Sequence, residues 1–411
     1  MEHVDVAVIG GGAAGLCGAV MLVRGGAQPV AVFEKAARAG RKLISTGNGT
    51  CNITNRDLSL SHYHGQEPAF ARPALESFTG ADTRVFFRSI GVECVDEPDG
   101  RVYPRSRQAG SVLDCLRMAC AENGVILHTG RAVTAINPQK NGFILTTADG
   151  PVTARRVMVA TGGAAAPALG GGNDGYTLLA VLGHTRTPLF PSIVQLRTDT
   201  TYIKAVKGIR AEAVVTLSGA GGTLSRQGEV LFTEYGLSGP AVMAISRLAG
   251  DWERQKKGAM TAHLDLLPDI PANRVSSLLT ARLAWPAREA GDFLTGFLHK
   301  RVGQTLLRAA GISLSRPVGS LTPAEVNAVV ALLKGWTIPV TGTQGFGGAQ
   351  VTAGGIRTAE FDPATLQSRL VPGLYAAGEV LDIDGDCGGY NLQWAWSSAA
   401  AAARHITGVT P

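Results

Sequence analysis

The chain has 411 residues, of which 45% are hydrophobic and 17% are charged. This balance excludes a disordered protein, and the length exceeds one ordinary hydrophobic core, so we expect two domains or more. The formal net charge of +6 is dispersed. No run of Lys and Arg is longer than pairs such as Arg155–Arg156 and Lys256–Lys257, which makes a nucleic-acid partner unlikely.

The glycines and cysteines narrow the class further. The 53 glycines form about 13% of the chain, against roughly 7% in an average protein, and their clusters indicate backbone that approaches a ligand closely. Six cysteines at irregular spacing predict neither a disulfide framework nor a metal site. No basic leader precedes the first strand-like segment, and no apolar run reaches the ~18 residues of a membrane span. We therefore expect a cytoplasmic protein without a membrane partner.

A strand, a tight turn and a helix are predicted at the amino terminus. Val4–Ile9 is apolar and rich in β-branched residues, and a G-x-G-x-x-G motif follows it directly. In this motif the glycines permit the turn, the approach of a pyrophosphate and the packing of helix on strand. A second strand ends at Glu34, whose carboxylate would bind an adenosine ribose. A dinucleotide site is therefore predicted at Gly10, Gly12, Ala13, Ala14, Gly15, Glu34 and Lys35.

A second G-x-G-x-x-G match, Gly170–Gly175, lacks this context. The residues before it, Gly162–Ala168, cannot form a buried strand. We therefore predict no independent fold for NAD(P)H.

A further buried strand is predicted at Arg156–Val159. It leads into Thr161, Gly162 and Gly163, where a parallel sheet would meet a ligand.

The middle of the chain differs in its pattern of predicted elements from both ends. From about residue 189 short strands alternate with Gly and Ser turns, and a helical region follows. The predicted organisation is α/β, with a discontinuous domain of residues 1–188 and 340–411 and an inserted domain of residues 189–339. Within the insert we expect a β-rich part, 189–270, and a helical part, 271–335.

The tail Ala376–Ala400 predicts a helix at the ligand site. Asn391 is the expected N-cap of a helix through Ala403, and its free N–H groups near Gly389 would stabilise the negative charge of a reduced flavin. Glu379 and Asp382 could hold ribityl hydroxyls. Asp384 and Asp386 flank Gly385, and their side chains could either take part in the site or only form a turn.

Several motifs together resemble one family. Gly10–Gly15, the segment GRKLISTGNGTCNITN at residues 40–55, Leu231–Pro240, Val351–Ile356 and the tail are similar to the YhiN/BaiN/aminoacetone-oxidase-like family of bacterial FAD-dependent oxidoreductases. The resemblance implies a glutathione-reductase-like, Rossmann-type FAD-binding domain interrupted by a substrate domain. It also implies that residues 40–55 wrap the FAD, although Thr50 stands where the family pattern suggests an Arg. Further cofactor contacts are expected at Lys42, Gly47, Asn48, Gly49, Cys51, Asn52, Val133, Thr161, Gly162, Gly163, Gly378, Glu379, Asp382, Gly389, Tyr390, Asn391 and Leu392.

Three residues are candidates for the chemical step. Tyr390 is a proton donor near the expected helix end, and Glu234 could exchange a proton or merely lie in a surface turn. Cys51 could be a redox partner or donor, but no second cysteine lies at CxxC spacing, which favours a packed side chain. His62 and His64 read as a solvated loop.

The resemblance implies that flavin N5 exchanges hydride with a small-to-medium organic substrate. NAD(P)H-linked reduction of an unsaturated carbonyl, as in steroid or bile-acid chemistry, is favoured, with NADH or NADPH as a transient donor. An amine oxidase of the aminoacetone-oxidase type is the alternative, and a non-catalytic or RNA-associated flavoprotein is an alternative of another class. The sequence indicates no oligomeric state.

Overall fold

The computed structural model describes residues 2–285 and 288–409. The chain divides into two compact units, one formed by Met1–Phe190 with Gln350–Pro411 and the other by Pro191–Ala349. We call the first the Rossmann unit and the second the insert. The Rossmann unit is therefore discontinuous in sequence.

The elements are numbered in chain order. Before the insert they are β1 (Glu2–Ile9), α1 (Ala13–Arg24), β2 (Val30–Glu34), β3 (Thr54–Asn55), β4 (Tyr63–His64), α2 (Arg72–Ser77), α3 (Gly80–Ser89), β5 (Cys94–Asp96), β6 (Arg101–Pro104), α4 (Ala109–Glu122), β7 (Ile126–Thr129), β8 (Val133–Gln139), β9 (Gly142–Thr147), β10 (Gly150–Val159) and α5 (Asp174–Val181). β11 (Phe190–Ser192) crosses the first boundary.

The insert contains β12 (Leu196–Thr198), β13 (Arg210–Gly219), β14 (Gly222–Phe232), β15 (Gly236–Ser238), α6 (Pro240–Ile245), α7 (Arg247–Gln255), β16 (Met260–Asp265), α8 (Ala272–Arg282), α9 (Lys300–Ala309), α10 (Pro323–Gly335), β17 (Trp336–Thr343) and α11 (Gly345–Gly348). The chain returns to the Rossmann unit with β18 (Val351–Ala353), β19 (Leu374–Ala376), β20 (Asp384–Gly385) and α12 (Tyr390–Thr407).

Parallel strands form the centre of the Rossmann unit, in the order β7–β2–β1–β10. Val6–Ile9 of β1 and Val30–Phe33 of β2 are runs of buried aliphatic and aromatic side chains, as expected of strands covered on both faces. β10 pairs with β1 along its length and divides its other edge between two partners. Its first half pairs antiparallel with β9, and its last three residues pair parallel with β19. The segments before and after the insert thus share one sheet.

Helix α12 packs against α1, and a glycine permits the close approach. A Cβ on Gly18 would lie 2.5 Å from Met158 Cε and 3.3 Å from Ala399 Cβ. The run Ala399–Ala403 in α12 is buried, because small side chains on both helices let their backbones come together. The tail thus packs on the first βα unit.

The insert is a closed barrel with strand order β12–β15–β14–β13–β16–β17. β13 and β14 form a long hairpin in which Ala213, Val215 and Leu217 alternate inward and are fully buried. β17 pairs with both β16 and β12 and so closes the barrel. α10 packs against α8 and β16.

The structure corrects two boundaries expected from the sequence. β17 begins at Trp336 and extends past residue 340, so the return to the Rossmann unit comes at Gln350 and not at residue 340. The part expected to be β-rich, 189–270, also contains the helices α6 and α7. The first difference arises because pairing of β17 with β12 joins residues about 140 positions apart, which local patterns do not reveal. Over the described ranges, no helix combines the length and the apolar character needed to cross a bilayer.

Candidate functional site

The carboxyl ends of the parallel strands bring the sequence motifs together. β1, β2, β10 and β19 run in the same direction, so the residues that follow Ile9, Glu34, Val159 and Ala376 meet at one edge of the sheet. In open α/β sheets, ligands bind at this edge. We call it the carboxyl edge.

Close contacts surround the first and third motif glycines, whereas the second faces open space. Gly10 has φ +107°, and a Cβ there would lie 2.5 Å from the Ala160 carbonyl oxygen. A Cβ on Gly15 would lie 1.9 Å from the Gly10 carbonyl oxygen, so α1 can pack on the turn only without that side chain. Around Gly12, in contrast, no heavy atom lies within 4 Å of a built Cβ. Gly12 is also the N-cap of α1 and offers no side-chain cap, which leaves open space in front of free N–H groups.

Glu34 is held against the glycine turn by two backbone donors. Gly11 N–H donates to Oε2 at 2.8 Å, and Ala36 N–H donates to Oε1 at 2.7 Å. The carboxylate is therefore fixed at the tip of β2, where a ribose would be bound. Lys35, predicted as a cofactor contact, forms an ion pair with Asp174 at the start of α5.

The segment of residues 40–55 forms a compact loop with left-handed residues. Gly47, Asn48 and Gly49 have φ values of +56°, +54° and +87°. Thr50, which stands where the family pattern suggests Arg, donates its hydroxyl to the Gly47 carbonyl at 2.5 Å. Thr50 thus closes the turn locally and contributes no charge.

Cys51 and Asn52 are buried at the end of this loop. Burial raises the pKa of the Cys51 thiol to about 12, with smaller effects from Thr46 and Cys94. A thiol that stays protonated is a poor nucleophile or redox partner, so the packed role of Cys51 is favoured. The side-chain oxygen of Asn52 is buried and has no hydrogen-bond partner among the residues that the structure describes.

An ion pair joins the loop to the last strand segment. Lys42 Nζ donates to Glu379 Oε2 at 2.7 Å, and Thr352 N–H donates to Glu379 Oε1 at 2.8 Å. Asp382 is buried and accepts from Gln66 N–H at 3.1 Å. Gly163 lies beside this group, since a Cβ there would lie 2.8 Å from Glu379 Oε1, whereas Gly162 is open.

The start of α12 differs from the prediction. Gly389, with φ +101°, is the N-cap, and the helix begins at Tyr390. The Asn391 side chain does not cap it. Its oxygen accepts from Gly385 N–H at 2.8 Å and its amide donates to the Gly385 carbonyl at 2.7 Å. The prediction for Asn391 was wrong because the helix begins one residue before it, at Tyr390. The cap position holds a glycine, whose positive φ and close approach to the Thr54 carbonyl oxygen, 2.5 Å from a built Cβ, leave no room for a side chain.

Tyr390 is packed among aromatic and histidine side chains. Its ring stacks on His62 with centroids 4.4 Å apart and meets the edge of Tyr63 at 5.9 Å. Tyr390 is 6% exposed. Leu392 lies in the first turn of the helix and is half-buried.

His62 and His64 are not the solvated loop that the sequence suggested. Both bond to Asp386, through His62 Nδ1 at 3.0 Å and His64 Nε2 at 2.8 Å. Burial raises the pKa of Asp386, but the bonds from His64 and His62 outweigh it, and the net pKa is below its usual value. Asp386 thus does more than form a turn. Pairing of β4 with β20 creates this contact, and no local signal predicts it. Within the described ranges, no set of three or more His, Cys, Asp and Glu side chains is arranged to hold a metal.

Two further predicted residues, Val133 and Glu234, lie on β8 and in the insert. Val133 begins β8 and is buried against β9. Glu234 belongs to the insert, is exposed and forms an ion pair with Lys207, whose hydrogen bond lowers the pKa of the carboxyl. Glu234 is therefore ionised at neutral pH and is a poor proton donor. The second glycine motif follows the short turn Pro167–Leu169 and not a strand.

These residues fit FAD. Open space at Gly12 lies where phosphates would approach the backbone, and the fixed Glu34 carboxylate suits a ribose. The buried oxygen of Asn52 needs a donor that the described polypeptide does not provide. When FAD is bound, the glycine turn, Glu34 and the loop of residues 40–55 would hold it.

Comparisons with known proteins agree with this geometry. Residues 4–405 match the family described as HI0933-like protein Rossmann domain. The chain is 38% identical to a 3-dehydro-bile acid delta(4,6)-reductase of Clostridium scindens, over 97% of this chain and 98% of that protein. It is 31% identical to a ribosomal RNA dihydrouridine synthase of Escherichia coli, over 99% of this chain and 98% of that protein.

A solved structure shares the fold. The 3-ketosteroid delta1-dehydrogenase of Sterolibacterium denitrificans matches all of both chains with a TM-score of 0.54, at 13% identity. The sequence predictions of an α/β fold, a Rossmann-type FAD-binding domain and a β-rich insert are confirmed. The chain belongs to the HI0933-like Rossmann family of flavoprotein oxidoreductases.

Proposed function

We propose that this protein reduces a carbon–carbon double bond conjugated to a carbonyl group, with FAD as the hydride carrier and NAD(P)H as the electron donor. The observation that carries the proposal is the 38% identity, over nearly the full length of both chains, to a bile acid reductase. The favoured substrate class is a steroid-like unsaturated ketone.

The second relative points to the same chemistry. Synthesis of dihydrouridine saturates the C5–C6 bond of uracil, which is conjugated to the C4 carbonyl. The two relatives therefore differ in the molecule that carries the double bond, but both reduce an unsaturated carbonyl. This shared reaction supports a reductase over an amine oxidase.

The chain must hold the cofactor and deliver one proton. When bound, FAD supplies the hydride through N5. Of the three candidate acids, Cys51 is a buried thiol and Glu234 is an ion-paired carboxylate. We assign proton delivery to the Tyr390 hydroxyl, at the first residue of α12. His62 holds the tyrosine ring by stacking and is itself fixed by its bond to Asp386.

A second candidate substrate is a uracil within RNA. The insert, residues 191–349, contains 17 Lys and Arg and 11 Asp and Glu, whereas the Rossmann unit contains 21 of each. The net charge of +6 thus lies entirely on the insert. A positive domain attracts a polyanion, and this distribution favours RNA even though no long basic run is present.

Anaerobic flavin spectra distinguish these functions. The protein is reduced with NADH or NADPH, and reoxidation is followed after addition of a 3-oxo-4,6-diene bile acid or of ribosomal RNA. The expected result is that NADH or NADPH bleaches the flavin absorbance and that the bile acid restores it. Recovery only with RNA would favour the second candidate. A flavin that is reduced by an amine and reoxidised only by oxygen would contradict both and indicate the oxidase.

A further inference from the structure

A buried phenol without a hydrogen-bond partner lies beside the acidic side chains of the carboxyl edge. Tyr176 is 4% exposed, and its hydroxyl has no hydrogen-bond partner within the described ranges. Native proteins leave few buried polar groups unpaired, because each loses its hydrogen bonds to water on folding. The hydroxyl therefore needs a partner that the polypeptide does not supply.

Helix α5 positions this side chain at the loop that follows β10. The residue before it, Gly175, packs so closely on Thr161 that a Cβ would lie 1.9 Å from Thr161 Oγ1. The Arg186 guanidinium lies over the tyrosine ring, 5.6 Å from its centroid. The first turn of α5 thus lies against the strand end that leads into the open backbone of Gly162.

The charges around the phenol make it a donor. Burial raises the pKa of Tyr176, and the carboxylates of Glu379 and Asp382 raise it further, while Arg186 opposes them. The hydroxyl therefore keeps its proton. Both carboxylates already accept from other groups, Glu379 from Lys42 and Thr352 and Asp382 from Gln66.

We propose that Tyr176 donates a hydrogen bond to a ribityl hydroxyl of FAD. A ribityl hydroxyl both donates and accepts, so it can donate to Glu379 or Asp382 and accept from Tyr176 at the same time. A phosphate could accept from Tyr176 but would be repelled by the two carboxylates. Tyr176 is thus a positioning residue for the chain that joins the flavin ring to the pyrophosphate. The inference rests on the FAD site and is independent of the substrate.

Flavin binding to the apoprotein tests this assignment. Tyr176→Phe removes only the hydroxyl, so FAD and riboflavin should each bind about tenfold more weakly, the loss of one neutral hydrogen bond. Lumiflavin, which has no ribityl chain, should bind wild type and variant equally. The apo variant should melt at or above the wild-type temperature, because an unpaired buried group has been removed.

Tyr375→Phe is the matched control. Its hydroxyl lies in the same unit and already bonds to His405 Nδ1 at 3.0 Å and to Gln367 at 3.3 Å. This variant should melt at a lower temperature with its FAD affinity intact. A Tyr176→Phe protein that binds FAD within twofold of wild type overturns the proposal, and an equal loss for lumiflavin overturns the ribityl assignment. Turnover is not measured, so failure of the proposed reaction would leave this result unaffected.

Discussion

The ammonium of Lys42 and the carboxylate of Glu379 form a 2.7 Å ion pair between residues 337 positions apart in sequence. The two side chains are 27% and 19% exposed. Lys42 comes from the loop expected to wrap the cofactor, and Glu379 comes from the turn after β19. The pair therefore joins the loop to a sheet edge formed by residues that follow the insert in sequence.

We expect Lys42→Met to weaken both stability and FAD binding. Removing the ammonium leaves a half-buried carboxylate whose remaining donor, among the residues that the structure describes, is Thr352 N–H. This loss costs about 1–3 kcal/mol. FAD affinity should fall roughly tenfold as the loop loosens. Urea unfolding and flavin titration measure the two effects. Arg84→Gln breaks a more exposed pair with Asp96 and should cost under about 1 kcal/mol with no effect on FAD. Equal effects of the two variants would contradict the role of Lys42.

Substitutions of two glycines in the glycine turn should affect folding and cofactor binding separately. Gly12→Val should fold as wild type, because nothing lies within 4 Å of the new Cβ, yet lose at least about tenfold in FAD affinity because the space for the phosphates is filled. Gly15→Val should fail to fold stably, since its Cβ would meet a carbonyl oxygen at 1.9 Å. Circular dichroism melts and bound-flavin absorbance measure each property. A yellow Gly12→Val protein would refute the assignment of this turn to FAD.

Local signals predicted the first βα unit well and the closing contacts poorly. The first βα unit is continuous in sequence, from β1 through the glycine turn and α1 to Glu34. The spacing of its residues is therefore enough to predict how they are arranged. The cap of α12 depended on one left-handed residue, and an Asn in the right place suggested the wrong cap. The barrel closes through β12 and β17, whose pairing no local period encodes. The surroundings of Tyr176 and the His62–Asp386 bond were missed for the same reason, since their partners lie far away in sequence and only folding brings them together.

Tyr390→Phe should lower the rate of double-bond reduction by about 10²-fold or more, the usual contribution of a positioned acid. Reduction of the flavin by NAD(P)H should be unchanged, because that step needs no proton from Tyr390. Anaerobic stopped-flow separates the two half-reactions. His62→Ala removes the ring that stacks on Tyr390 and should lower the rate of double-bond reduction by a smaller factor. Slowing of both half-reactions by Tyr390→Phe would indicate displaced flavin and not a lost acid.

Stability should fall as the pH drops below about 6.5. His184 is buried, bonds through Nδ1 to Glu360 at 2.9 Å and through Nε2 to Ser368 at 2.9 Å. Burial lowers the pKa of His184, although Glu360 opposes this. Below 6.5 the unfolded chain therefore binds a proton that the folded protein resists, and the free energy of unfolding decreases until the folded pKa is reached. Urea unfolding near pH 7.5 and 5.5 should show this decrease in wild type and a smaller one in His184→Gln. An unchanged difference would mean that another group titrates.

Cys51 should prove dispensable for turnover. Burial raises the pKa of the Cys51 thiol to about 12 and closes it to reagents, so iodoacetamide should leave it unmodified in the folded protein. Burial also raises the pKa of Cys115, but that side chain is only half-buried and should therefore be alkylated first. Cys51→Ala removes one sulfur from a fully buried position and should cost about 1 kcal/mol of stability, with both half-reactions within about twofold of wild type. Mass spectrometry of the alkylated protein and stopped-flow kinetics of the variant measure these outcomes. Rapid alkylation of Cys51, or loss of flavin reduction in Cys51→Ala, would restore it as a redox partner.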